Sequence, residues 1–154
     1  MKINNGPRGT LIVDDARIIF RNFAGVQTKF NREGDRNFAL VIETVDDANA
    51  LIDSGWNVKT KPPRDEDDTP LMFLPVKIKF NDRGPKVYLK TGDRFVELSE
   101  DTIDTLDNID ILSVDMDLRP YDWDMPSGLK GRTAYLDGIT VHQQVDRFRA
   151  RYED

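Results

Sequence analysis

The sequence predicts an all-β-dominated fold: one five-stranded barrel, with a short helix inserted between strands 2 and 3 and another short helix before strand 4. Three observations predict it. Apolar residues make up 38% of the 154 and charged residues 32%, enough for one core but too polar for strands dry on both faces. Long stretches alternate apolar and polar side chains with the period of a strand. Only two stretches, both short, carry helix start signals.

In chain order, Leu11 to Phe23 (LIVDDARIIFRNF) reads as the first strand, with Ala16, Ile18 and Phe20 on one face and Arg17 and Arg21 on the other. Glycines and polar residues from Ala24 to Asp35 predict a basic-tipped loop, and Asn37 to Glu43 (NFALVIE) is the second strand. Thr44 suits a helix N-cap, followed by Asp46 and Asp47 in the first turn. Val45, Ala48, Leu51 and Ile52 form the apolar side of that helix, and Gly55 stops it. Lys61 to Pro70 (KPPRDEDDTP) has three prolines and four consecutive carboxylates, which predicts an exposed loop. Leu71 to Phe80 and Lys86 to Thr91 alternate cleanly about NDRGP and predict a hairpin. Ser99 is expected to cap a second helix, Glu100 to Asn108, that buries Ile103 and Leu106. Ile109 to Tyr121 is a strand burying Leu112, Val114, Met116 and Leu118 against outward Ser113, Asp115, Asp117 and Arg119. Arg132 to His142 is the last strand, with a phase shift at Asp137-Gly138 that predicts a bulge.

This order matches an OB-fold with an insertion between its second and third strands, although a β-sandwich gives a similar string. Residues 1–145 are expected to form one domain and 146–154 (DRFRARYED) a short, poorly ordered tail. The start, MKINNGPRGT, lacks the apolar core of a secretory signal, and no run has the roughly 20 apolar residues of a membrane helix. The expectation is a cytosolic protein without a membrane partner.

Composition narrows the chemistry. The absence of cysteine removes disulfides, thiolate nucleophiles and zinc sites that need sulfur. His142 is the only histidine, and neither a GxSxG elbow nor a GxxxxGK[ST] loop is present. Asp110, Asp115 and Asp117, or the run Asp65 to Asp68, offer carboxylates for a magnesium-dependent nuclease, but no lysine stands beside the strand carboxylates. No catalytic residue, metal site or cofactor is therefore expected.

A net charge of −6 argues at first against a nucleic-acid partner. The charge is segregated, however: Glu97 to Asp124 holds ten acidic residues and one basic, whereas Trp56 to Arg94 holds nine basic and six acidic. Steering of a polyanion depends on local potential, not the sum. Within the basic half, strand periodicity puts Phe73, Lys77, Lys79, Lys86, Tyr88 and Lys90 on one outward face, opposite Met72, Leu74, Val76, Ile78, Phe80, Val87 and Leu89. Cations that track phosphates and flat rings that stack unpaired bases are what a single-strand binder needs. The bland alternative is a solvated lysine face. Two further basic sets interleave aromatics with cations: Lys29, Phe30, Arg32 and Arg36 in the first loop, and Trp56, Lys59, Lys61 and Arg64 after the helix. They are expected to rim a groove, with burial of Phe30 and Trp56 in the core as the competing reading. Arg119 and Tyr121 extend the set, and either Tyr121 or Trp123 stacks on a base or staples the following loop.

The segments ARIIFRNFAG, FNREGDRNFALVI, LIDSGWNVK, KPPRDEDD, PVKIKF, GPKVYLKT, LDNIDILSVDMDLRPYDW and GRTAYLDGITV resemble, in that order, the single-stranded DNA-binding proteins of tailed bacteriophages. The resemblance runs from about Ala16 to Gln143. It implies an OB-fold, binding of single-stranded DNA with little sequence preference, no catalysis, and a role in phage replication, recombination or repair in the host cytoplasm, with phage or host replication proteins as partners. Many such proteins end in an acidic tail that recruits partners. This tail instead carries Arg147, Arg149 and Arg151, which leaves the Glu97 to Asp124 run as a partner surface or a plain solubilising face. The acidic balance also admits a different class, a DNA mimic that inhibits a host nucleic-acid enzyme.

Overall fold

The computed structural model describes residues 1–66 and 68–145, so the expected tail at 146–154 lies outside the described residues. The fold is all-β dominated, as expected, but the sheet formed by the described residues has ten strands and not five. They are β1 (Lys2–Asn5), β2 (Leu11–Ala16), β3 (Ile18–Asn22), β4 (Arg36–Ile42), β5 (Lys59–Lys61), β6 (Leu71–Ile78), β7 (Lys86–Thr91), β8 (Arg94–Leu98), β9 (Ile111–Asp124) and β10 (Lys130–Gln143). Their hydrogen-bonded path runs β1-β2-β9-β10-β6-β4-β3, with β5 on β6, β7 on β10 and β8 on β7. The path ends at β1 and β3, while β2 and β3 are separated in the chain by Arg17 alone.

The expected first strand is broken for a local reason. Asp15 and Phe20 both have positive φ, 53° and 54°, and each upsets the two-residue alternation. Leu11, Val13 and Ala16 remain in the core, and Ile18 packs against it. Phe20, expected beside Ala16 and Ile18, is turned out and 55% exposed.

The predicted hairpin from Leu71 to Thr91 is not one. Asn81 and Gly84 exchange backbone hydrogen bonds of 2.9 and 3.1 Å, closing a small loop from which the chain leaves in its original direction. β6 and β7 therefore lie end to end, both parallel to β10: Val76 and Lys77 oppose Ala134 and Tyr135, and Lys86 to Lys90 oppose Gly138 to His142. The true hairpin is β7 with β8, turning at Gly92-Asp93. RFVEL gave no alternation to find it by, because Arg94 to Glu97 are all exposed.

Helix α1 (Val45–Asp53) forms as expected, with the Thr44 hydroxyl accepting from the Asp47 N–H at 3.1 Å. Only Ala48 and Leu51 are buried; Val45 and Ile52, expected beside them, are 62% and 50% exposed. A helix of two and a half turns meets the sheet along one short row. The second helix is reduced to a 3₁₀ turn, Ile103–Asp107. Its Ile103 and Leu106 are fully buried, while the Ser99 N–H is bonded to the Thr102 hydroxyl and the Ser99 side chain caps no helix. Leu112, expected in the core, is 61% exposed because the β9–β10 register shifts between the pairs Ser113–His142 and Ile111–Gln143 and skips it, so that Ile111 packs against the core in its place. The bulge in β10 is where the sequence placed it: Asp137 is skipped between the pairs Leu136–Leu118 and Gly138–Asp117. Among the described residues no helix is long and apolar enough to cross a membrane.

Candidate nucleic-acid interface

Because β6 lies between β4 and β10, its outward side chains stand in the middle of the sheet. Strand pairing lines up Arg119, Tyr135, Lys77 and Asn37 in one row across β9, β10, β6 and β4. The Arg119 guanidinium lies 5.1 Å from the Tyr135 ring centre, and Tyr121 meets the same ring edge-on at 6.0 Å. Further back along β6, Phe73 packs edge-on against Phe20 at 5.4 Å. The exposed Lys59 is the direct partner of Phe73, and Lys61 that of Leu71. The structure thus brings Phe73, Lys77, Lys59, Lys61, Arg119 and Tyr121 onto one face, and adds Tyr135 and Phe20.

The rest of the predicted face continues along the same strand line in a different electrostatic setting. Lys86, Tyr88 and Lys90 project beside Thr140 and His142, and Lys79 is exposed in the connection before them. Tyr88 is stacked on Phe95 at 4.9 Å with the rings 22° apart. Lys86 is 3.5 Å from Glu97, and His142 is 2.8 Å from Asp115. Carboxylates therefore offset part of the lysine charge here, whereas the Lys77 row contains none.

The loop after β3 rises from the end of this row. The Asn37 side chain donates to the side-chain Oδ1 of Asn31 at 2.7 Å, and the Asn31 side-chain amide donates to the backbone carbonyls of Val26, Arg32 and Asp35. The Asp107 carboxylate accepts from the N–H groups of Phe23 and Ala24, both at 2.8 Å, and fastens the loop base. A loop tied this closely can hold an aromatic ring in water without collapsing onto it. Phe30 at its tip is 92% exposed, with the Lys29 ammonium 5.7 Å from its ring and Arg32 exposed nearby. Burial of Phe30 in the core is thus excluded.

Two predicted rim residues do other work. Trp56 is 5% exposed within the core, beneath the Arg132 guanidinium at 5.3 Å, so it is an anchor and not part of a groove. Arg36 is turned to the loop base, where it donates to the Phe23 carbonyl and lies over Phe80. Sequence reasoning missed Tyr135, although its alternation with buried Ala134 and Leu136 was a usable signal. It also missed Phe20, which only the positive φ exposes. Among the described residues no three histidine, aspartate or glutamate side chains gather as a metal site. Asp115, a nuclease candidate, is occupied by the Asp15 N–H and His142.

The chain matches over residues 2–154 a family described as "Putative phage ssDNA-binding domain". It is similar to two solved structures of the single-stranded DNA-binding protein from bacteriophage Enc34. The C-terminally truncated form has a TM-score of 0.57 at 14% identity, covering 95% of this chain and 97% of that one. The form in complex with ssDNA has a TM-score of 0.58 at 16% identity, covering 96% of each. No curated protein sequence matches.

Proposed function

The chain belongs to the phage ssDNA-binding domain family, and we propose that it binds single-stranded DNA, with little sequence preference, on the outward face of β6, β9 and β10. The observation that carries this reading is the Arg119–Tyr135–Lys77 row, where a ring stands between two cations across the centre of the sheet. Phosphates follow Lys77, Arg119, Lys59 and Lys61, and unpaired bases stack on Tyr135, Tyr121 and Phe73. Phe30, Lys29 and Arg32 reach the strand from the loop. Lys79, Lys86, Tyr88 and Lys90 continue the path with weaker attraction.

The strand pairing supports an OB-like architecture. Taking β2 with β3 and β6 with β7 as single bent strands gives five, joined as β2/β3 to β4, β4 to β6, β6/β7 to β10, β10 to β9 and β9 to β2. Among the described residues only the β10 contact with β6 and β7 is parallel. The role that fits is non-catalytic: protection of single strands during phage replication, recombination or repair in the host cytoplasm.

Fluorescence anisotropy of labelled oligo-dT against a matching duplex tests the reading. Binding to the single strand, with a log–log salt slope near −0.7 per phosphate neutralised, is expected. No binding to either form, together with tight capture of a basic host nucleic-acid enzyme, would replace it with the DNA-mimic reading.

A further inference from the structure

Trp123 lies on β9 two residues beyond Tyr121, on the same side of the strand, and opposite Gly131 of β10. Nothing but backbone fits beneath its indole: a Cβ at Gly131 would overlap the six-membered ring. The indole N–H donates to the Thr133 hydroxyl at 3.1 Å, which fixes the ring in its own plane. A tryptophan so held, its underside on peptide and its one polar atom satisfied, cannot tilt or sink into the core.

On the opposite face of the β9–β10 ribbon the paired residues Asp122 and Arg132, and Asp124 and Lys130, line a recess of about 440 Å³ with Gly55. The strand pair beneath the ring is held from that opposite face. Arg132 contacts both Asp122 oxygens, at 2.6 and 3.2 Å, and donates to the Ser54 carbonyl at 2.7 Å.

We propose that the outer face of the Trp123 indole is a nucleobase stacking platform at the end of the single-strand path, preformed by its seat on Gly131 and its bond to Thr133. The inference rests on the proposed single-strand binding and extends its path by one position past Tyr121. A loop-stapling role is ill suited to this geometry, since the indole lies across β10 and its N–H is bonded within the strand pair, not to residues 125–129.

The chain's two tryptophans make the test direct. Oligo-dT is titrated into the full chain while tryptophan emission and label anisotropy are read together. Stacking on Trp123 quenches the wild type, and Trp123→Phe binds by anisotropy without quenching, because Trp56 is buried away from solvent. Trp123→Ala and Gly131→Ala are each expected to weaken binding about tenfold, within the range for loss of one stacked base. Undiminished affinity in Trp123→Ala, or quenching that persists in Trp123→Phe, overturns the platform. Absence of any anisotropy change in the wild type refutes instead the binding on which it rests.

Discussion

Lys77 and Tyr135 are direct partners in the two-residue parallel contact between β6 and β10. The pairing sets a cation beside a ring at the centre of the sheet, with Arg119 on the ring's far side. Tyr135→Ala should lower affinity for oligo-dT by about 1–3 kcal/mol, whereas Lys77→Ala should also flatten the log–log salt dependence by about 0.7. Titrations at several salt concentrations separate the two. Equal slopes for wild type and Lys77→Ala would remove Lys77 from the phosphate path.

Phe30 and Trp56 are expected to differ in what their loss disturbs. Phe30→Ala removes a ring that is 92% exposed, so the melting temperature should hold while single-strand affinity falls. Trp56→Ala opens the core and should cost about 3–5 kcal/mol of stability. Thermal unfolding beside the binding titration checks both.

Asp107 fastens the loop that carries Phe30, through the N–H groups of Phe23 and Ala24. Asp107→Ala leaves both donors unpaired, each worth about 1–3 kcal/mol where water cannot replace the partner. Faster amide hydrogen exchange at residues 23–35, with β9 and β10 unchanged, is the expected result.

Two carboxylates on β9 should tilt the pH dependence of stability in opposite ways. Burial, with Asp137 and Asp14 nearby, raises the Asp117 pKa above its ordinary value. A raised folded pKa means that stability is lost as pH climbs from the unfolded value, so Asp117→Asn should stabilise the protein at pH 7 and change little at pH 3. Burial also opposes ionisation of Asp115, but the Asp15 N–H and His142 overcome it and lower its pKa. That contribution is present above the unfolded value and lost as pH falls through the folded one. Asp115→Asn should therefore destabilise at pH 7 and flatten the acid limb. Urea midpoints between pH 3 and 7 measure both.

What was readable in the sequence was whatever depends on near neighbours in the chain. The alternation of β6, β7, β9 and β10, the Thr44 cap, the buried Ile103 and Leu106 and the bulge at Asp137 all follow from periods of two or three residues and local turn chemistry. The common outward face of Phe73, Lys77, Lys86 and Tyr88 was legible on the same ground, because parity along a strand does not depend on which strand lies beside it.

Direction and company were decided only by the tertiary structure. A glycine-proline turn between two alternating runs reads as a hairpin whether the chain reverses or, as at Asn81–Gly84, loops out and continues. Parity likewise does not say that Tyr135 stands between Lys77 and Arg119, that Trp56 lies under Arg132, or that Gly131 makes room for Trp123. Each of those placements joins residues at least eight positions apart, most of them far more, and depends on strand register and backbone φ summed over the whole sheet.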